Sequence, residues 1–247
     1  MENFESAYIA GRNPVIEVLK SGRTVDKILI ANGQREGSIV RIIAMAKERG
    51  IPVVEVPQVK LAHVSGIAEH QGVAALCAQK EYCTVADILD IAKQRGEKPF
   101  VLVTDGIEDP HNLGALIRTA STAGVHGVIV PRHRAVGLTP SVSKAAAGAL
   151  EYMAVAKVTN ITAAIEELKE AGVWVYAADV GGVPYYKADL RGAVAIVVGG
   201  EGSGVSRLVR SACDGVVSIP MRGEITSLNA SVAGAIIMYE AVRQSAQ

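Results

Sequence analysis

Aromatic side chains are scarce in this chain: two Phe, one Trp and seven Tyr, 4% of 247 residues. Stacking one base after another along a strand takes several such rings in a row, so an extended stacking platform for nucleic acid is not expected. Neither sign of charge is in excess, since 25 Lys and Arg balance 25 Asp and Glu. Net charge therefore gives no long-range pull on a polyanion. Any RNA must be held by a few placed Arg and Lys groups and by shape. Cysteine is limited to Cys77, Cys83 and Cys213, without CxxC spacing. That pattern fits free thiols in a reducing compartment, not a disulfide framework or a metal site. No apolar run reaches the roughly eighteen residues of a membrane span. Met1–Glu5 is acidic, with neither a basic flank nor an apolar signal core. The expectation is a cytoplasmic protein with no metal centre.

What is present is a globular composition, 49% hydrophobic and 20% charged, with enough length for one large domain or two smaller ones. Residues 1–76 read as a small α/β module. Asn13 and Pro14 predict the cap and first position of a helix carrying Val15, Val18 and Leu19. Lys27–Ile30, Pro52–Val56 and Gly72–Leu76 predict strands. Ile39, Ile42, Ile43 and Ala46 form one face of a helix over Ser38–Arg49, which Gly50 stops. Residues 77–97 read as a polar connector with one short helix, Val85–Gln94. From about residue 98 to the end the pattern is strongly α/β. Phe100–Val103, Val128–Val130, Val173–Tyr176 and Ala193–Val198 are short apolar runs of the kind buried on both faces of a parallel sheet. Leu113–Ala123, Ser141–Ala149, Ile161–Ala171 and Ala230–Gln244 predict helices.

Three turns after strand-like runs carry the chemistry, at the strand ends where open α/β sheets bind ligands. The first is Asp105–Arg118, where Asp109-Pro110 forces a turn, Asn112 suits a helix cap, Gly114 permits close approach and Arg118 sits among apolar neighbours. Such an Arg needs an anionic partner or a route to solvent. The second is Gly199-Gly200-Glu201-Gly202-Ser203-Gly204. It is no Walker loop, because Val205 stands where Lys would be required, and Val205 also breaks the GxGxxG fingerprint. Its glycines let backbone approach some other ligand, with Glu201 placed at the positive end of a following helix. The third runs from Ile219-Pro220-Met221 to Ser227-Leu228-Asn229, opening the final helix. Taken singly, Asn112, Glu201, Ser227 and Asn229 could each be nothing more than a helix-start residue; their joint order and spacing argue otherwise.

Together the three segments resemble, in order and spacing, the motifs of the SpoU (TrmH-like) family of RNA ribose 2′-O-methyltransferases, most nearly its bacterial 23S rRNA guanosine 2′-O-methyltransferases. The opening Gly-x-Asn-Pro-Val-x-Glu-x-Leu and His70-Gln71-Gly72 resemble the substrate-binding domain that precedes the catalytic domain in that family. The resemblance implies an L30e-like RNA-binding domain at 1–76 and a parallel-sheet SPOUT methyltransferase domain at 98–247, with a C-terminal trefoil knot and a homodimer formed across it. It implies S-adenosyl-methionine as cofactor, bound at Gly199, Ile219 and Leu228. Asn112, Arg118, Glu201, Ser227 and Asn229 are the implied catalytic set. A guanidinium hardly loses a proton in proteins. Arg118 is therefore expected to stabilise the developing alkoxide or hold a phosphate, not to act as a base. His111 lies beside Asn112, but the motif does not require it. Arg132 and Arg134, in a basic run after a strand, and Arg12 are candidate RNA contacts. The competing expectations are a tRNA guanosine methyltransferase, a resistance methyltransferase acting on rRNA, a non-catalytic RNA-binding or ribosome-assembly scaffold and, last, a nucleotide-dependent oxidoreductase.

Overall fold

The computed structural model describes residues 6–246; the acidic stretch Met1–Glu5 lies outside them. The chain divides into two compact units, one running through Glu81 and including Leu138–Tyr152, the other comprising Tyr82–Gly137 and the chain from Met153.

The first unit contains β1 (Ser6–Ala10), α1 (Arg12–Lys20), β2 (Val25–Ala31), α2 (Ser38–Glu48), β3 (Val53–Val56), α3 (Gln58–Ser65) and β4 (Val73–Ala78). Its sheet has the order β1-β4-β2-β3, with β4 antiparallel to both neighbours and β3 parallel to β2. The helical stripe Ile39, Ile42 and Ala46 packs into one core with Val15, Val18, Ile28 and Ile30, as the 3.6-residue spacing predicts. The start of α1 differs from expectation. Gly11 is the cap, at φ 108°, and Val15 N–H donates to its carbonyl. That backbone conformation suits glycine. Asn13 is therefore inside the helix and exposed, and Pro14 sits in the first turn, where its missing N–H costs nothing.

The second unit begins with α4 (Val85–Arg95), which covers most of the segment read as a connector. Thr84 and Asp87 cap it reciprocally, and its Val85 and Ile88 lie in the core beneath the large sheet. Next come β5 (Phe100–Asp105), α5 (Pro110–Thr122) and β6 (Gly127–Pro131). The chain then returns to the first unit as α6 (Pro140–Ala145) and a 3-10 turn at Ala149–Glu151, where α6 packs on β1. The helix expected over Ser141–Ala149 is cut short because Ala147 and Gly148 take positive φ, 52° and 95°. The second unit resumes with β7 (Ala154–Val158), α7 (Ile161–Glu170), β8 (Trp174–Pro184), β9 (Val194–Gly199), α8 (Arg207–Ala212), β10 (Gly215–Ser218) and α9 (Ala230–Ser245). Its strands form a six-stranded parallel sheet ordered β10-β8-β9-β5-β6-β7. Every residue of β9 is buried, which is why it reads as an unbroken apolar run.

Cys77, Cys83 and Cys213 form no disulfide with one another. Burial raises the Cys77 thiol to about 11 and that of Cys213 to about 12, so neither is a ready nucleophile.

Candidate active site

The ends of β5, β9 and β10 bring the three sequence motifs together within the second unit. Asn112 was expected to cap α5. Asp109 does so instead, accepting from the N–H groups of His111 and Asn112 at 3.2 Å each. With the cap supplied three residues earlier, the Asn112 side chain is free to turn inward, and the residue is 6% exposed. Glu201 was expected at a helix start. It lies in the turn after β9, and the next helix begins only at Arg207. Asn229 does cap α9, its Oδ1 accepting from Ser231 N–H at 3.0 Å and Val232 N–H at 3.3 Å.

Capping fixes the rest. Because Asn229 Oδ1 faces the helix, its Nδ2 must face away. It donates to Glu201 Oε1 at 2.7 Å and to Asn112 Oδ1 at 2.8 Å. Asn112, presenting its oxygen to Asn229, turns its own Nδ2 to Glu201 Oε1 at 3.0 Å. One residue from each motif thus forms a closed amide–carboxylate–amide network, and hydrogen bonds to a charged acceptor are among the stronger ones.

This network separates two cavities. The first, about 860 Å³, is lined by Gly199, Ile219, Leu228, Ser227, Asn229 and Glu201 among others. The second, about 580 Å³, is lined by Asn112 and Glu201 together with the β5–α5 turn and His133 and Arg134. Both volumes fall in the usual range for small-ligand sites. In the first cavity the walls are glycine backbone and the aliphatic groups of Val198, Val217, Ile219 and Leu228, with carboxylates at Asp179 and Glu201. Such a lining suits a ligand with a flat apolar part and positive charge. A Cβ on Gly199 would fall far inside contact with the backbone of Gly204 and Val205, and one on Gly200 would meet the Gly106 carbonyl. The glycines therefore allow strand end and loop to close on each other. Gly200 N–H donates to the Asp105 carbonyl at 2.9 Å, and Asp105 Oδ2 accepts from Ser206 N–H at 2.7 Å.

The remaining expected residues lie elsewhere. Arg118 is exposed on α5 and lines neither cavity; its route is to solvent. His111 is likewise exposed and off both walls. Arg132 is exposed beyond β6 and lines neither cavity, whereas Arg134, at φ 55°, walls the second. Arg12 belongs to the first unit, where its guanidinium donates to Gln34 Oε1 at 3.1 Å and the Gln71 carbonyl at 3.2 Å. Sequence reasoning missed Asp179. Its strand was expected to end at Tyr176 but runs on to Pro184, and Arg210 holds the carboxylate at 3.0 Å. It also missed the anchoring role of Asp105, because nothing local marks a carboxylate that accepts from a backbone N–H a hundred residues away.

Comparison with known proteins bears on the family and the fold. Residues 99–239 match the SpoU rRNA Methylase family, and residues 8–83 match the RNA 2′-O ribose methyltransferase substrate-binding domain. A Bacillus subtilis protein assigned by name to the TrmH family of tRNA/rRNA methyltransferases is 44% identical over 96% of this chain and 95% of its own. Among solved structures, an RNA 2′-O ribose methyltransferase superposes with a TM-score of 0.81 at 27% identity, covering 98% of this chain and 90% of that one. An AdoMet-bound rRNA methyltransferase from Sinorhizobium meliloti gives 0.79 at 25% identity, covering 96% and 87%. Motifs, fold and relatives coincide: the chain belongs to the SpoU family of RNA ribose 2′-O-methyltransferases.

Proposed function

We propose that this protein transfers a methyl group from S-adenosyl-methionine to the ribose 2′-hydroxyl of a guanosine in 23S rRNA, acting in the cytoplasm as a homodimer. The observation that carries the reading is the Asn112–Glu201–Asn229 network standing between two adjoining cavities. A group-transfer enzyme needs donor and acceptor held on either side of one set of positioning groups.

The first cavity fits the cofactor. Backbone at Gly199, Ile219 and Leu228 would hold it, and the Glu201 carboxylate, with no cation paired to it among the described residues as Arg210 is to Asp179, favours its positive charge. When bound, S-adenosyl-methionine supplies a methyl group on a positively charged sulfur, open to in-line attack. The work left to the chain is placement and charge. Glu201 Oε1 is committed to the two amides, while Oε2 has no partner among the described residues. That second oxygen can accept a hydrogen bond from the attacking hydroxyl and turn its lone pair toward the first cavity. Asn112 and Asn229 hold the carboxylate rigid, and Ser227 closes the rim. Arg118, exposed and outside both cavities, suits the second of its two expected roles, holding an RNA phosphate by its planar fork. Arg132, Arg134 and Arg12 are assigned the same kind of contact, and the first unit is assigned to RNA capture. The family's trefoil knot and dimer belong to this reading too, on the strength of the family match.

The test is methyl transfer from labelled cofactor to unmodified 23S rRNA and, separately, to bulk tRNA, with the product nucleoside identified. We expect label as 2′-O-methylguanosine in 23S rRNA. Label confined to tRNA would keep the chemistry and overturn the substrate. A protein that bound the cofactor and both RNAs yet transferred nothing would revive the scaffold reading.

A further inference from the structure

Carboxylates outnumber basic groups around the second cavity. Asp105, Glu108, Asp109 and Glu201 all line it, against Arg134 and His133. Three of the four carboxylates are already engaged. Asp105 accepts from Ser206 N–H, Asp109 caps α5 with both oxygens, and Glu201 anchors the two amides. Glu108, exposed on the turn after β5, is the one with no hydrogen bond or ion pair among the described residues. An ionised carboxylate only accepts, and its two oxygens match two donors side by side. Among the RNA bases only guanine offers that pair on its Watson–Crick edge, at N1–H and the 2-amino group. Adenine and cytosine each place an acceptor nitrogen beside their amino group, and uracil sets its single N–H between two carbonyls. RNA bases splayed from the stack are read on this edge.

Resting on the methyl-transfer reading above, we propose that the second cavity receives the base of the target nucleotide and that Glu108 selects guanine. The ribose then lies against Asn112 and Glu201, and Arg134 takes an adjoining phosphate across the cavity. Glu108 is a specificity-determining residue in this arrangement, and Arg134 contributes affinity without base preference.

The experiment is calorimetric titration of the full chain, saturated with S-adenosylhomocysteine, with 5′-GMP, 5′-IMP and 5′-AMP. We expect GMP to bind about tenfold or more tightly than AMP, the scale of one bidentate base contact. IMP, which keeps N1–H and lacks the 2-amino group, should fall between them. Glu108→Gln puts an amide donor where an acceptor is needed, and should bring GMP and AMP to within about twofold of each other. Arg134→Ala should weaken all three alike. Equal binding of GMP and AMP by the unaltered protein, or a GMP preference retained in Glu108→Gln, overturns the assignment. If S-adenosylhomocysteine itself does not bind, the methyl-transfer reading falls with it. If it binds and no base preference appears, only the guanine assignment falls.

Discussion

At the scale of single residues, the site depends on which residue caps which helix. Asn112, Glu201 and Asn229 each suited a helix start, and only Asn229 is one. Asp109 releases Asn112 for the network, whereas Asn229 does two jobs, its oxygen serving α9 and its nitrogen serving Glu201 and Asn112. The two jobs can be separated by substitution. Asn229→Asp keeps a capping oxygen but sets a second carboxylate within hydrogen-bond distance of Glu201, where like charges repel. Asn229→Ala loses cap and network together. Loss of a cap costs about 1 kcal/mol, and removing a donor to a charged acceptor adds about 1–3 kcal/mol. In urea melts at pH 7 we expect Asn229→Ala to lose about 2–4 kcal/mol. Both variants should lose methyl transfer, the Asp form without losing the start of α9. A fully active Asn229→Asp protein would separate the network from the chemistry.

Among the elements, α9 joins site and core, and its packing is set by one small residue. A Cβ on Gly234 would stand 2.6 Å from Leu116 Cδ2 and 3.2 Å from Val198 Cγ2; Leu116 is fully buried, with little room to give way. Overpacking costs about 1–3 kcal/mol, while Gly→Ala within a helix gains about 1 kcal/mol. The steric effect should win, so Gly234→Ala is expected to lower the melting temperature by a few degrees. A raised melting temperature would mean that α9 does not pack against α5 and β9 at this position. At the other end of the helix, Arg243 and Gln244 hydrogen-bond Glu240, and its carboxyl is held down at about 2 against an ordinary value of 4.5. The folded state therefore gains stability from this group above about pH 4.5, and the gain disappears as pH falls toward 2. Melts at pH 5 and pH 3 should show a smaller acid loss in Glu240→Gln than in the unaltered protein. An equal loss in the two proteins would remove Glu240 from the acid response.

Over the whole molecule, chain order and unit boundaries do not coincide. The stretch Leu138–Tyr152, from the middle of the sequence, completes the first unit. There Glu151, its side chain 2% exposed, pairs with Arg23 at 2.8 Å; Tyr152 donates to Glu17 at 2.6 Å. Removing one partner of a buried pair costs about 3–5 kcal/mol. We expect Glu151→Ala to speed amide exchange across β1, β2 and β4 while leaving β5 and β9 protected. Uniform exchange in both units would contradict the division. This return of the chain could not be read from the sequence, since nothing in α6 distinguishes packing on one sheet from packing on another. The strands buried on both faces were legible, because apolar runs such as Val194–Val198 are their direct signature. The strand β7 was not, for its two valines, Val155 and Val158, are separated by Ala156 and Lys157 and give neither an apolar run nor an alternation, nor was α8, six residues long with a single buried side chain. For the site, motif order revealed the residues but not their partners. Hydrogen bonds between positions 112, 201 and 229 depend on how strand ends converge, and spacing along the chain does not encode that.

The most direct test of the network as the methyl-transfer centre is a single-turnover rate for Glu201→Gln, with cofactor and RNA both saturating. The substitution preserves shape and removes the charge and the free acceptor oxygen. Positioned acid–base groups contribute about 10²–10⁴-fold. We expect the rate of 2′-O-methylation to fall by about a hundredfold or more, with the thermal melt close to that of the unaltered protein. An undiminished rate would contradict the assignment of Glu201, and with it the placing of the reaction between the two cavities.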